Sequence, residues 1–174
     1  MTKKAKLGVG DSVFYPSAGV GAIEAIEDVY IAGTVDPCYV IRIKESGMVV
    51  KVPQANVARS GIRPLLSSRK LKELNRILES KCARRVTGGN WTERCKDLDR
   101  RINSGTSMEL AEVVRDLLSW KIQSGLSFEE SMLLETASTY LSHELAEIKG
   151  MTPDAAYEEI VKHVTKTAQS KEVA

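Results

Sequence analysis

Long apolar runs are missing from this 174-residue chain, and no stretch approaches the roughly 20 residues that a bilayer-spanning helix needs. The charged start Met1-Thr-Lys-Lys-Ala-Lys-Leu7 is not followed by the apolar segment of a secretory signal. Cysteine is scarce. Cys38, Cys82 and Cys95 are too few and too scattered for a disulfide framework, which predicts a reduced, cytoplasmic, soluble protein. No paired C-x-x-C exists, and no histidine lies near Cys82 or Cys95, so a zinc site is not expected. The only histidines are His143 and His163. His143-Glu144-x-x-Glu147 lacks the second histidine at i+4 of a zinc helix and reads as a surface histidine beside helix-face glutamates. Gly8-x-Gly10 and Gly19-x-Gly21 lack the third glycine and following helix of a dinucleotide site, and no phosphate-binding G-x-x-x-x-G-K-[ST] loop occurs. These absences predict a chain without catalysis, metal, cofactor or small-molecule substrate.

What is present is a balance of 43% hydrophobic and 28% charged residues, that of a globular protein with a core. The net charge of +2 conceals a segregation. Residues 1–63 carry 8 basic and 6 acidic side chains, residues 64–104 carry 11 and 5, and residues 105–174 carry 6 and 12. A basic middle beside an acidic end suits a single face that meets a polyanion, though clustered charge on solvated helix faces gives the same count.

The first 60 residues read as strands, punctuated at Gly19, Gly21, Gly33, Pro37, Gly47 and Pro53. Tyr39, Ile41 and Ile43 alternate with Arg42 and Lys44. Met48, Val50 and Val52 share a side opposite Lys51, and Glu45-Ser46-Gly47 turns between the two strands. Several short strands suggest a strongly bent sheet or a small SH3-like barrel. From Ser67 the pattern becomes helical, with apolar stripes at Leu71/Leu74/Leu78, Trp91/Cys95/Leu98/Ile102, Leu110/Val114/Leu117/Leu118 and Leu133/Ala137/Leu141/Leu145/Ile148. Thr106-x-x-Glu109 and Ser127-x-x-Glu130 are capping boxes, and Thr152-Pro153 supplies an N-cap and first helical residue. Gly105, Gly125 and Gly150 sit where left-handed C-caps belong. Five helices result, the last from about Pro153 to Thr167. Strands followed only by helices predict an α+β chain of two domains in series, 1–63 and 64–174.

The most unusual local feature is Gly88-Gly-Asn-Trp-Thr-Glu-Arg94. Asn90 can cap a helix, Glu93 sits where a capping carboxylate belongs, and Trp91 takes the first helical position, followed by Arg94, Lys96, Arg100 and Arg101. A large ring at a helix corner among cations is the layout of a wedge entering a minor groove while cations hold phosphates. Trp91 also falls on the stripe of Cys95 and Leu98, so packing in the core is the other reading. Trp120 lies inside an amphipathic helix and reads as core.

Several segments, taken together and in order, carry a resemblance. Val9-Gly-Asp-Ser-Val-Phe-Tyr-Pro-Ser-Ala-Gly-Val-Gly21, Val50-Lys-Val-Pro53, Gly61-Ile-Arg63, Asn90-Trp91 with Arg94, Ala111-Glu-Val-Val-Arg-Asp-Leu117 and Gly125-Leu-Ser127 are similar to the CarD/CdnL family of bacterial transcription regulators. The likeness runs over roughly residues 7–165. It implies a Tudor-like N-terminal domain that binds the β subunit of RNA polymerase, through the strand holding Val50, Lys51 and Val52 and through the position of Val29. It also implies a helical domain that contacts promoter DNA through Trp91, Arg94, Lys96, Arg100 and Arg101. Trp91 would then wedge at the upstream edge of the transcription bubble and stabilise the open complex, with little sequence specificity. Three positions depart from the family pattern. Glu93 replaces a frequent arginine, Cys95 a frequent aromatic, and Val29 a basic residue found in some members. A protein-interaction adaptor of the same fold, without DNA contact, is the competing reading.

Overall fold

The computed structural model describes residues 6–83, 85 and 91–169. The capping role read for Asn90 and the glycines before it lie outside the described residues. The chain divides into two compact units, Met1–Leu65 and Leu66–Ala174.

The first unit is a five-stranded antiparallel sheet of order β4-β3-β2-β1-β5, with β1 Ser12–Tyr15, β2 Gly19–Ile31, β3 Thr34–Ile43, β4 Val49–Pro53 and β5 Arg63–Pro64. It is an open sheet edged by β4 and β5. A single 3-10 turn at Gln54–Asn56 and the short helix α1, Val57–Ser60, link those two edges. Val13, Ile23, Tyr39, Ile41, Ile43 and Val52 line one face as a core, joined by Leu7 and Ile62, and the Tyr39 hydroxyl donates to the Leu7 carbonyl at 3.0 Å. The alternation read for β3 holds, because Arg42 and Lys44 are exposed while Tyr39, Ile41 and Ile43 are buried. Met48 departs from its expected side. It precedes β4 and is exposed, so only Val50 and Val52 of that stripe face the core.

Two backbone features shape this sheet. Gly21 pairs with Ile43, and a Cβ there would stand 2.8 Å from Ile41 Cγ2 and 3.0 Å from the Arg42 carbonyl, so glycine lets β2 and β3 close. A bulge between Ile23 and Ala25 inserts Glu24 as an extra residue. Beyond it the phase reverses. Ile23 points into the core, while Ala25, opposite Val40, falls on the other face, the face of Lys51.

The second unit holds α2 Leu71–Glu79, α3 Trp91–Ser104, α4 Ser107–Ser124, α5 Phe128–Lys149 and α6 Pro153–Gln169. Helix α4 touches each of the other four, which is why both of its sides are apolar: Val113 and Val114 are buried together with Leu110, Leu117 and Trp120. Both capping boxes form. Thr106 Oγ1 accepts from the Glu109 N–H at 3.2 Å and Glu109 Oε2 accepts from the Thr106 N–H at 3.0 Å, with Ser127 and Glu130 paired the same way at 3.2 and 2.9 Å. Thr152 Oγ1 accepts from the Ala155 N–H at 3.2 Å, ahead of Pro153.

The glycine caps divide three ways. Gly150 is left-handed at φ 67°, ψ 38°; Gly125 has positive φ but an extended ψ of 170°. Gly105 lacks positive φ altogether and is required by crowding, since a Cβ would stand 2.4 Å from the Arg101 carbonyl oxygen and 2.5 Å from Glu109 Oε2. Glu144 also corrects the sequence reading. It is 1% exposed, not on the surface, and accepts hydrogen bonds from Ser107 Oγ at 2.8 Å and the Leu66 N–H at 3.0 Å.

Candidate functional site

In the first unit the register separates the four candidate residues. Lys51 lies opposite Val40, and Val40 opposite Ala25, so alternation puts Lys51, Glu27 and Val29 on one face. Lys51 Nζ meets Glu27 Oε2 at 2.8 Å across β3, and Arg42 Nε meets Glu24 Oε1 at 2.6 Å beside it. The hydrogen bond to Glu27, then its charge, raises the Lys51 pKa above the ordinary lysine value. Val50 and Val52 turn to the core, where Val52 is buried and Val50 half-buried. The Ile43 N–H to Met48 carbonyl bond at 2.8 Å sets the phase of the β3–β4 ladder. It directs the backbone of Val50 and Val52 toward β3 and that of Val49 and Lys51 toward the free edge of the sheet.

In the second unit the five candidates on α3 also divide. Trp91 is 38% exposed at the first residue of the helix, whereas Leu98 and Ile102 on the same stripe are buried. Arg94 Nη2 lies 3.2 Å from Glu130 Oε1 on α5, and Arg101 Nη2 lies 2.6 Å from Glu112 Oε2 on α4; both guanidiniums are turned against the helical body. Lys96 and Arg100 occupy the opposite side of α3 and are exposed, Arg100 with an i,i+3 bond to Asp97 at 3.0 Å. Cys95 is half-buried. Burial raises its pKa, with Arg94 opposing and Glu130 and Glu129 adding, so the thiol stays protonated and serves as packing.

Of the residues between α2 and α3, Ser80, Ala83 and Arg85 are held against α4 and its C-terminal end. Asp116 Oδ1 accepts from the Ala83 N–H at 3.0 Å, Trp120 Nε1 donates to the Ala83 carbonyl at 3.0 Å, and Arg115 Nη1 donates to Ser80 Oγ at 2.7 Å. Arg85 then donates to Ser124 Oγ and the Gly125 carbonyl, each at 2.9 Å, pairs with Glu130 Oε2, and stands 5.8 Å above the Trp120 ring. Trp120 is buried, as its helical stripe predicts. Sequence reasoning missed Arg85 and saw in Glu130 only a cap. Their pairing joins residues 45 positions apart, and no local pattern announces it. Among the described residues no three His, Cys, Asp or Glu side chains are placed to hold a metal ion, and no helix is long and apolar enough to cross a membrane.

Comparison with known proteins places both units. Residues 7–66 match the family model of the CarD-like/TRCF RID domain, and residues 73–162 match that of the C-terminal domain of CarD. Two such modules in series define a class of transcription regulators, not of enzymes, and imply interaction with RNA polymerase. The chain belongs to the CarD family. Among its relatives is YdeB of Bacillus subtilis (strain 168), described as a candidate transcription factor, 36% identical over 144 residues that span 83% of this chain and 93% of YdeB. The solution NMR structure of the 72-residue N-terminal domain of Myxococcus xanthus CarD is 39% identical and covers 34% of this chain and 79% of its own, with a TM-score of 0.30. At that score the fold rests on the strand pairing described above, not on the superposition.

Proposed function

We propose that this protein bridges RNA polymerase and promoter DNA in the cytoplasm: the sheet unit holds the polymerase β subunit, and Trp91 wedges into the minor groove at the upstream edge of the bubble. The observation that carries the reading is the exposure of Trp91. A tryptophan left 38% accessible at a helix start, on a stripe whose Leu98 and Ile102 are buried, is available to an external partner. Unstacking a base step costs a few kcal/mol, and a ring inserted at an already distorted junction disfavours reclosure. Lys96 and Arg100, on the outward side of α3, supply phosphate contacts; Arg94 and Arg101 support the helix from behind. On the sheet, the free edge of β4 offers backbone donors and acceptors for strand addition, with Lys51 on that strand and Val29 on the same face two strands away. Tethering to polymerase raises the local concentration of the helical unit at the promoter, so its own DNA affinity can be low.

The adaptor reading, polymerase binding without DNA contact, draws support from the inward turn of Arg94 and Arg101 and from the exposed Glu93 near the same corner. In vitro transcription with purified polymerase, following open-complex lifetime with and without the chain, separates the two. A longer lifetime supports the bridge. Polymerase binding with an unchanged lifetime supports the adaptor.

A further inference from the structure

We propose that Glu130 is a positioning residue for Trp91: its buried carboxylate holds Arg85 and Arg94, which flank Trp91 in the chain, and thereby fixes where α3 begins. This inference rests on the wedge reading above. Glu130 is 0% exposed and both of its oxygens are engaged, Oε1 by Arg94 at 3.2 Å, Oε2 by Arg85 and by the Ser127 N–H at 2.9 Å. A capping box needs only the last of these. The other box in this protein makes the comparison, since Glu109 caps α4 through the Thr106 N–H with no arginine among the described residues hydrogen-bonded to it.

The arrangement has the connectivity of a clamp. Arg85 is locked to the end of α4 by Ser124 and Gly125, and it reaches Glu130 from the N-terminal side of Trp91. Arg94 follows Trp91 by three residues, one helical turn, so the two share a face of α3, and its guanidinium ties that face to Glu130 on α5. Burial alone would raise the Glu130 pKa. The Ser127 N–H and the two guanidiniums outweigh it and leave the group below the ordinary carboxylate value, so the charge that holds both arginines persists at neutral pH. A fully buried carboxylate is tolerated only when paired and hydrogen-bonded, and removing one arm of such a set leaves the rest poorly compensated. In this account Arg94 acts through Trp91 and does not contact phosphate.

The test uses the full chain labelled with 5-fluorotryptophan, whose two 19F resonances are assigned with Trp91→Ala; the buried Trp120 signal reports folding. Arg94→Gln should move the Trp91 resonance toward that of the free amino acid and leave Trp120 in place. In open complexes with purified polymerase it should produce at least half, on a logarithmic scale, of the lifetime loss caused by Trp91→Ala. Arg94→Lys, which keeps one charged donor for Glu130 Oε1, should restore both readouts in large part. Glu130→Gln should reproduce the effect; because Arg85, which Glu130 holds, stands over the Trp120 ring, unfolding of this variant is read from its melting curve, leaving the Arg94 pair to decide if it unfolds. An unmoved Trp91 resonance in Arg94→Gln overturns the proposal. So does a lifetime loss accompanied by a salt slope reduced by about 0.9, the signature of a lost phosphate contact. If Trp91→Ala leaves the lifetime unchanged, the wedge reading falls, while the 19F arm still decides whether Arg94 and Glu130 hold the indole.

Discussion

At the scale of single residues, charge identity predicts less than the partner each charge has found. Arg94 and Arg101 are as basic as Lys96 and Arg100, yet carboxylates on α5 and α4 engage the first two. Salt dependence of DNA affinity, measured with the full chain on a fork-junction duplex, should reflect this. Lys96→Gln and Arg100→Gln should each lower the log–log slope by about 0.9, and Arg101→Gln should leave it unchanged. An equal fall in Arg101→Gln would contradict the division. Lys51 is paired as well, but with an exposed partner, Glu27, across the sheet. Lys51→Glu places two carboxylates there, so the melting temperature should drop only slightly, while affinity for the polymerase β subunit should fall through like-charge contact. An unchanged titration with a folded variant would remove Lys51 from the contact.

The elements show which signals are local and which are not. Capping boxes, helical stripes and the alternation in β3 were legible because each is set by residues within one or two turns of each other. Both boxes and the Thr152-Pro153 start appear as read. Glu144 and Glu130 were not legible as buried groups. Charged residues on helices ordinarily face solvent, and what buries these two is a set of donors dozens of positions away in sequence. The phase change at Glu24 was equally hidden, since a bulge inserts one residue without a marking glycine. Gly105 was placed correctly at a helix end for the wrong reason, crowding taking the part assigned to left-handed backbone. In the candidate site, Trp91 and the cations were legible as a cluster; the side of α3 that each one takes was not.

One contact between elements carries a pH prediction. Glu79, at the end of α2, receives His163 Nδ1 at 2.8 Å and Lys166 Nζ at 3.0 Å from α6. The His163 hydrogen bond first, then that of Lys166, lowers the Glu79 pKa below the ordinary carboxylate value. A folded-state pKa below the unfolded one adds stability above the unfolded value, and that stability is lost as pH falls through the folded value. Glu79→Gln should therefore melt below the parent at about pH 7 and converge with it as the pH falls through the folded-state value of Glu79, below which both lack the charge. A gap that persists undiminished in acid would show that Glu79 acts through packing and not through its charge.

At the scale of the whole molecule, the charge segregation and the two compact units divide along related lines. The strongly basic stretch 64–104 ends with α3, and the acidic stretch that follows builds α4 to α6, of which α4 and α5 pack against α3. The sheet unit has a core and a hydrogen-bonded sheet of its own, so residues 1–65 should fold and retain the polymerase β subunit without the helical unit. A pull-down in which only the full chain holds β would defeat that expectation. Open-complex decay with Trp91→Ala, read beside a melting curve of the same protein, tests the wedge role of Trp91 most directly. Truncating a core tryptophan costs about 3–5 kcal/mol; an exposed wedge costs far less, so the variant should melt near the parent temperature, bind polymerase, and lose most of the added open-complex lifetime. A large drop in melting temperature would return Trp91 to the core, and normal folding with normal decay would contradict the wedge.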